Sequence, residues 1–182
     1  PSTKGSLRNI KLIRGENELA NIDFYEYLLS GKKTDDVQII RDDIIFIPPR
    51  EKTVFVNGEI NRPLIFELKA DEGLIELIKF AGGLKATTDM DIIQIERIIP
   101  HEQRSNHNGI DRTLIDVNLN NLYKENKNFP LVNNDKIFFY KISDKVINQV
   151  TINGQVNRPG IYALDKNMHL SDLIIKADGL TA

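Results

Sequence analysis

Paired carboxylates are the first place to look for acid–base chemistry, and the chain has two such pairs, Asp35-Asp36 and Asp42-Asp43. Neighbouring residues on a strand point to opposite faces, so neither pair suits a shared proton-transfer site. Both read as solvated charge in loops and at strand edges. His101 and His107 share one polar loop with Glu102. A structural or catalytic metal site would want a further positioned ligand and a second shell, and none is evident. His169 starts a helical segment and reads as a surface residue. Gly82 and Gly83 follow a helical pattern, whereas anion sites use helix starts. There is no cysteine, hence no thiolate nucleophile, thiolate zinc ligand or disulfide. G-x-S-x-G, the P-loop and the dinucleotide fingerprint are missing as well. The expectation is a protein that is not an enzyme and holds no cofactor or metal.

The polar residues that do recur are Asn61-Arg62-Pro63 and Asn157-Arg158-Pro159. Asn and Pro form turns, and an Arg beside them can cover an apolar edge. An Arg repeated at equivalent positions is also suited to an interface, through its planar fork of donors. A sugar hydroxyl is a third partner for it. Asn61, Arg62, Asn157, Arg158 and Tyr162 are therefore the candidate interface or ligand contacts. With no Trp, and Phe55, Phe66 and Tyr162 among few stacking candidates, a tight sugar platform is the less favoured of these readings.

These residues sit inside a repeat. At an offset of 96, "VFVNGEINRPLIFELKADEGLIELIKFAGGLKA" from Val54 lies over "VTINGQVNRPGIYALDKNMHLSDLIIKADGLTA" from Val150, with 15 identities in 33 positions and no gap. Each copy opens with a β-type run in which Gly58 breaks the alternation, predicting a bulge or a close backbone approach. A turn centred on the Pro comes next, type II at Gly160 and type I at Leu64, and then a second strand closes a hairpin. Leu74, Leu77, Ile78 and Ala81 then fall at helical spacing, as do Leu170, Leu173, Ile174 and Ala177. This predicts a helix of about three turns. "AGG" and "ADG" end it in left-handed caps.

Three further β-like runs come after the first copy: "DIIQIERII", "TLIDVNL" and "DKIFFYKI". Fainter versions open the chain. Ile10 and Arg14 match Ile93 and Arg97 at an offset of 83, "IDFYEYLL" answers "IDVNLNNLY", and "RDDIIFIP" answers "NNDKIFFYK". Residues 1–49 thus read as the back half of a repeat, 50–145 as a complete one, and 146–182 as a front half. The polar stretch from Pro100 to Arg112 is the expected mobile insertion.

Composition bounds the rest. The 182 residues are 41% hydrophobic and 27% charged with a formal net charge of -2, ordinary for a globular protein and without the basic excess that would point to nucleic acid. No apolar run approaches the roughly 20 residues of a membrane-spanning helix.

A hairpin, one helix across it and further strands make an α+β, β-grasp arrangement. The residues written V-x-V-x-G-x-[IV]-x-x-P from Val54 to Pro63, the short helix and "AGG" resemble the SLBB domain, a soluble-ligand-binding β-grasp fold. It occurs in tandem in the polysaccharide biosynthesis/export family of Gram-negative outer-membrane proteins. "SLRNIKLIRG", "DFYEYLLSG" and "RDDIIFIPP" also resemble the part of that family's repeat that lies beyond the helix. Gly160 and Tyr162 fit its P-G-x-Y pattern, whereas Leu64 and Phe66 replace them in the first copy, and Asp178 replaces a Gly in the second. The resemblance implies a periplasmic fragment of an outer-membrane exporter of capsule or exopolysaccharide. Its SLBB repeats would self-associate around a polysaccharide in transit, with an inner-membrane polysaccharide co-polymerase as a further partner and no nucleic acid. Two functions from different classes are implied: a structural and oligomerisation module of the conduit, or a module binding carbohydrate or another small ligand on a β-grasp face. Coplanar exposed rings would favour binding, and their absence scaffolding.

Overall fold

A computed structural model describes residues 4–31, 37–104 and 111–181. In chain order its elements are β1 (Ile10–Arg14), β2 (Asn17–Ile22), α1 (Phe24–Ser30), β3 (Ile44–Phe46), β4 (Lys52–Gly58), β5 (Ile65–Leu68), α2 (Leu74–Phe80) and β6 (Thr88–Ile98). Next come α3 (His101–Arg104), β7 (Arg112–Val117), α4 (Leu119–Glu125), β8 (Lys136–Lys141), β9 (Gln149–Ile152), β10 (Gly160–Ala163) and α5 (Leu170–Lys176). The chain forms two compact units, 1–142 and 143–182.

The first unit is built on a five-stranded sheet in the order β5-β4-β8-β6-β7. β4 and β8 run parallel and the other pairs antiparallel. This is the mixed sheet of a β-grasp fold, in keeping with the α+β expectation. Strand alternation sends Val54, Val56, Ile93, Ile95, Ile137 and Phe139 to one buried face. Leu74, Leu77, Ile78 and Ala81 cover that face from α2, as their spacing predicts. Gly58 has φ +92, and a Cβ there would lie 2.1 Å from the Phe139 carbonyl oxygen, so the predicted close approach is between β4 and β8.

The helix is shorter than its pattern predicts, seven residues and about two turns. Gly83 N–H donates to the Ile78 carbonyl at 2.8 Å and Gly82 N–H to Lys79 at 3.0 Å, which closes it as a Schellman motif. Ala81 stays on the apolar stripe but lies past the last helical residue. Two helices stand where the sequence pattern predicts only strand. "IDFYEYLL" and "IDVNLNNLY" each leave their strand at a capping residue, whose side chain accepts a backbone N–H: Asp23 from Tyr25, and Asn118 from Asn121. Each helix ends at a left-handed residue, Gly31 or Asn126. Cap chemistry overrides the β-like composition here.

Residues 4–49 form a three-stranded sheet in the order β2-β1-β3. That is the order β7-β6-β8 of the complete repeat, with α1 in the place of α4. The second unit is the hairpin β9–β10 with α5, which buries Val156, Leu173 and Ala177. Its helix ends in the same motif, Gly179 N–H on Ile174 at 2.9 Å and Asp178 N–H on Ile175 at 3.0 Å, with Asp178 at φ 64.

Candidate functional site

Asn61 lies on the connection from β4 to β5. Its backbone N–H donates to the Gly83 carbonyl at 3.2 Å, and its side-chain Nδ2 donates to the Gly82 carbonyl at 2.7 Å. In the second unit Asn157 N–H donates to Gly179 at 3.0 Å and Asn157 Nδ2 to Asp178 at 2.7 Å. Carbonyls past a helix end have no intrahelical partner, and the Asn supplies one. The two recurring phrases, Asn-Arg-Pro and Ala-Gly/Asp-Gly, are thus halves of one latch from hairpin loop to helix end. The expected type II turn at Gly160 is not formed. Its φ of 159 is extended backbone that opens β10, so the latch rather than a tight turn fixes the loop.

The structure therefore divides the candidate contacts. Asn61 and Asn157 are engaged inside their own repeats. Tyr162 is as well, its hydroxyl donating to the Arg158 carbonyl at 2.6 Å. Arg158 pairs at 3.6 Å with Asp178, both exposed. Arg62 is exposed over Gly82, and among the described residues it has no ion-pair partner. The two arginines are what remains for an outside partner.

His101 and Glu102 lie exposed on α3, while His107, Asp35 and Asp36 fall outside the described residues. Among the described residues, no three or more His, Cys, Asp or Glu gather as metal ligands. Asp42 and Asp43 have separate fates. Asp42 is exposed at φ 68, whereas Asp43 accepts from Arg14 Nε at 2.7 Å and Nη2 at 2.9 Å, and from Ile40 N–H at 2.9 Å. The complete repeat makes the same clamp. Asp135 accepts from Arg97 Nε at 2.9 Å and Nη2 at 2.7 Å, and from Val132 N–H at 2.9 Å, with Asn134 at φ 68 before it. The Arg14–Arg97 match thus marks a bidentate ion pair that ties strand to loop in every back half.

Sequence reasoning missed the junction between residues 4–49 and the complete repeat. Arg8 is buried there, donating to Asp23 at 3.1 and 2.8 Å and to Glu72. Its guanidinium lies 4.8 Å from the Tyr25 ring centre and 4.5 Å from that of Phe80. Leu7 N–H donates to the Glu67 carboxylate at 2.9 Å, and Glu67 N–H to the Tyr25 hydroxyl at 3.1 Å. Burial opposes the charge on Arg8, but the hydrogen bonds to Asp23 and Glu72 outweigh it and raise its pKa. Nothing in the repeat comparison marks Arg8, because its counterpart at the offset of 83 is Asp91.

The side of the five-stranded sheet facing away from the core is open. Phe55, Ile65, Leu114, Phe138 and Tyr140 line a groove of about 780 Å³ there, with Glu96 and Lys136. Phe138 and Tyr140 stand edge to face, 4.7 Å apart and 69° between planes. The other exposed pair among the described residues, Phe24 and Tyr27, is edge to face at 66°. Neither pair offers the flat surface on which a sugar ring stacks.

No curated protein matches the chain. The SLBB domain family model matches it twice, at residues 53–108 and 149–182, which begin just inside β4 and at β9. Both segments are SLBB domain sequence, and through them the chain belongs to the SLBB domain family.

Proposed function

We propose that this chain is a periplasmic part of an outer-membrane polysaccharide export protein for capsule or exopolysaccharide. Its SLBB repeats serve as structural and oligomerisation modules of the conduit. The observation that carries this reading is the serial use of one construction kit: the Asn latch in both front halves and the Arg–Asp clamp in both back halves. Modules built so alike suit stacking along a chain, where each contacts its neighbours. The SLBB domain occurs in polysaccharide export proteins. Further copies of this chain, the polymer in transit and an inner-membrane polysaccharide co-polymerase are the partners this role implies. The test is deletion of residues 50–145 from the gene product in its own host. Surface polysaccharide should fall to background while polymer synthesis continues, and unchanged export would sink the reading.

The groove on the open sheet face favours a second reading, a carbohydrate or small-ligand module. Titration of the 182-residue chain with fragments of the exported polymer discriminates the two. Saturable shifts at Phe138 and Tyr140 would favour binding, and none is expected of a scaffold.

A further inference from the structure

The five-stranded sheet of the complete repeat has two edges, β5 and β7, and they are treated differently. The β5 edge is occupied by the 4–49 layer: Glu67 N–H donates to the Tyr25 hydroxyl at 3.1 Å, and Arg8 Nη1 donates to the Glu67 carbonyl at 3.4 Å. Among the described residues β7 pairs with β6 alone. Ile99 N–H donates to the Asp111 carbonyl at 2.9 Å, which fixes the phase of that ladder. Bonded pairs alternate in an antiparallel ladder, so Thr113 and Ile115 bond to β6, whereas Arg112, Leu114 and Asp116 turn their backbone N–H and C=O groups outward. The register runs unbroken from Ile93–Val117 to Ile98–Arg112, and β7 contains no Pro or Lys. The devices that commonly blunt an edge strand are therefore missing from it. Leu114 is 62% exposed and lines the apolar groove, with Arg112 and Asp116 exposed on either side of it. The charges of this strand are not balanced within the repeat. Arg112 and Lys136 share Glu96. Asp116 meets the Gln94 Nε2 at 3.5 Å and has no ion-pair partner among the described residues.

We propose that β7 is the docking edge for a second copy of this chain, the two β7 strands pairing antiparallel about a two-fold axis at Leu114 and joining two sheets into one. Charge complementarity identifies the occupant. With the axis at Leu114, Leu114 lies opposite Leu114 of the second copy, and Arg112 lies opposite Asp116 in both directions. The unpaired carboxylate of each copy then meets the arginine of the other, and opposite charges across a strand pair are stabilising. The same register sets the outward backbone groups of Arg112, Leu114 and Asp116 in bonding positions, and it brings the two apolar grooves together along the Leu114 side chains. An axis at Thr113 or Ile115 would instead set Leu114 against Arg112 or Asp116. The contact joins like surfaces, so it closes at two copies.

This inference rests on the oligomerisation part of the proposed function, and the test separates the two. The natural chain has no cysteine, so Leu114→Cys creates a single thiol. Directly opposed residues of a bonded pair have Cα atoms about 5.5 Å apart, within disulfide range. Under mild oxidation Leu114→Cys should give roughly tenfold more disulfide dimer than Leu64→Cys, a control of matching exposure at 60%, because disulfide geometry tolerates little displacement. Charge exchange reads the register in chains without a thiol. Arg112→Asp and Asp116→Arg should each weaken the dimer seen by light scattering across a range of concentrations, and the double variant should restore it. A double variant no better than the single ones would overturn the two-fold register. A natural chain that associates while Leu114→Cys links no better than Leu64→Cys would overturn this contact and leave oligomerisation standing. A monomer at every concentration, with no excess of linked Leu114→Cys, would leave the edge to a different strand and overturn both.

Discussion

Asn61 and Arg62 are adjacent and equally repeated, yet they answer to different demands. The amide of Asn61 satisfies a carbonyl at a helix end, and the guanidinium of Arg62 satisfies nothing within the described residues. Asn61→Ala should cost about 1 kcal/mol, the net worth of a typical hydrogen bond. Arg62→Ala should stay within about 0.5 kcal/mol, as surface changes do. Urea unfolding of both variants checks this, and equal losses would mean that Arg62 holds the repeat together too. Asp43 makes a pH prediction. The Arg14 guanidinium, aided by the Ile40 N–H, holds its carboxyl down at about 2, against the ordinary 3.8. A depressed folded-state pKa contributes stability that is present above the ordinary value and lost as pH falls through the folded one. The 4–49 layer should therefore weaken between about pH 4 and pH 2, and Asp43→Asn should remove that part of the acid sensitivity. Thermal melts at either end of this window compare the two. An equal fall in Tm would show that the clamp carries no proton linkage.

At the scale of elements, the repeat places matching helices in unlike surroundings. Leu77→Ala removes a side chain that is wholly buried between α2 and the sheet, and should cost about 2–5 kcal/mol. Leu170→Ala trims an exposed side chain of α5 and should change stability by under about 0.5 kcal/mol. Unfolding titrations that reversed this order would mean that α5 is covered in solution. The strands and helices of the front half were legible because their apolar spacing changes period from two to about 3.6 at Leu74, and both copies repeat the change. The close approach of Gly58 to the Phe139 backbone was legible as a lone glycine in an alternating run. Helices α1 and α4 were not legible. Their signal was a single capping residue before a short segment, Asp23 or Asn118, and the aromatic and β-branched neighbours pointed to strand. The Asn latch was half legible: the sequence marked both of its ends as recurring, but only the fold brings Asn61 to Gly82.

Across the whole molecule, one junction is built and the next is not repeated in sequence. Arg8, between Tyr25 and Phe80, joins Asp23 of its own layer to Glu72 of the complete repeat. At the offsets of 83 and 96, Arg8 becomes Asp91, Glu72 becomes Met168 and Phe80 becomes Lys176, and the helix-capping place of Asp23 is taken by Asn118. In the complete repeat Asp91 accepts from Asn118 at 3.1 Å and Asn120 at 2.9 Å, a local contact of back-half residues. Removing Arg8 from this buried cluster leaves Glu72 without its ion-pair partner and Asp23 with Lys69 alone, and breaking a buried pair costs about 3–5 kcal/mol. Arg8→Ala should therefore free the 4–49 layer from the complete repeat while the complete repeat stays folded, since Leu74, Leu77 and Phe139 are wholly buried between α2 and the five-stranded sheet and only the edge of that core meets Tyr25. Hydrogen exchange resolved along the chain reads this directly. Protection should fall across β1, β2 and α1 and persist in β4, β6 and β8, whereas Asp91→Asn should leave both regions as they were. If Arg8→Ala instead lowered protection in every strand of residues 4–142 together, the layer and the complete repeat would be one cooperative fold, and the junction would be part of its core rather than a joint between repeats.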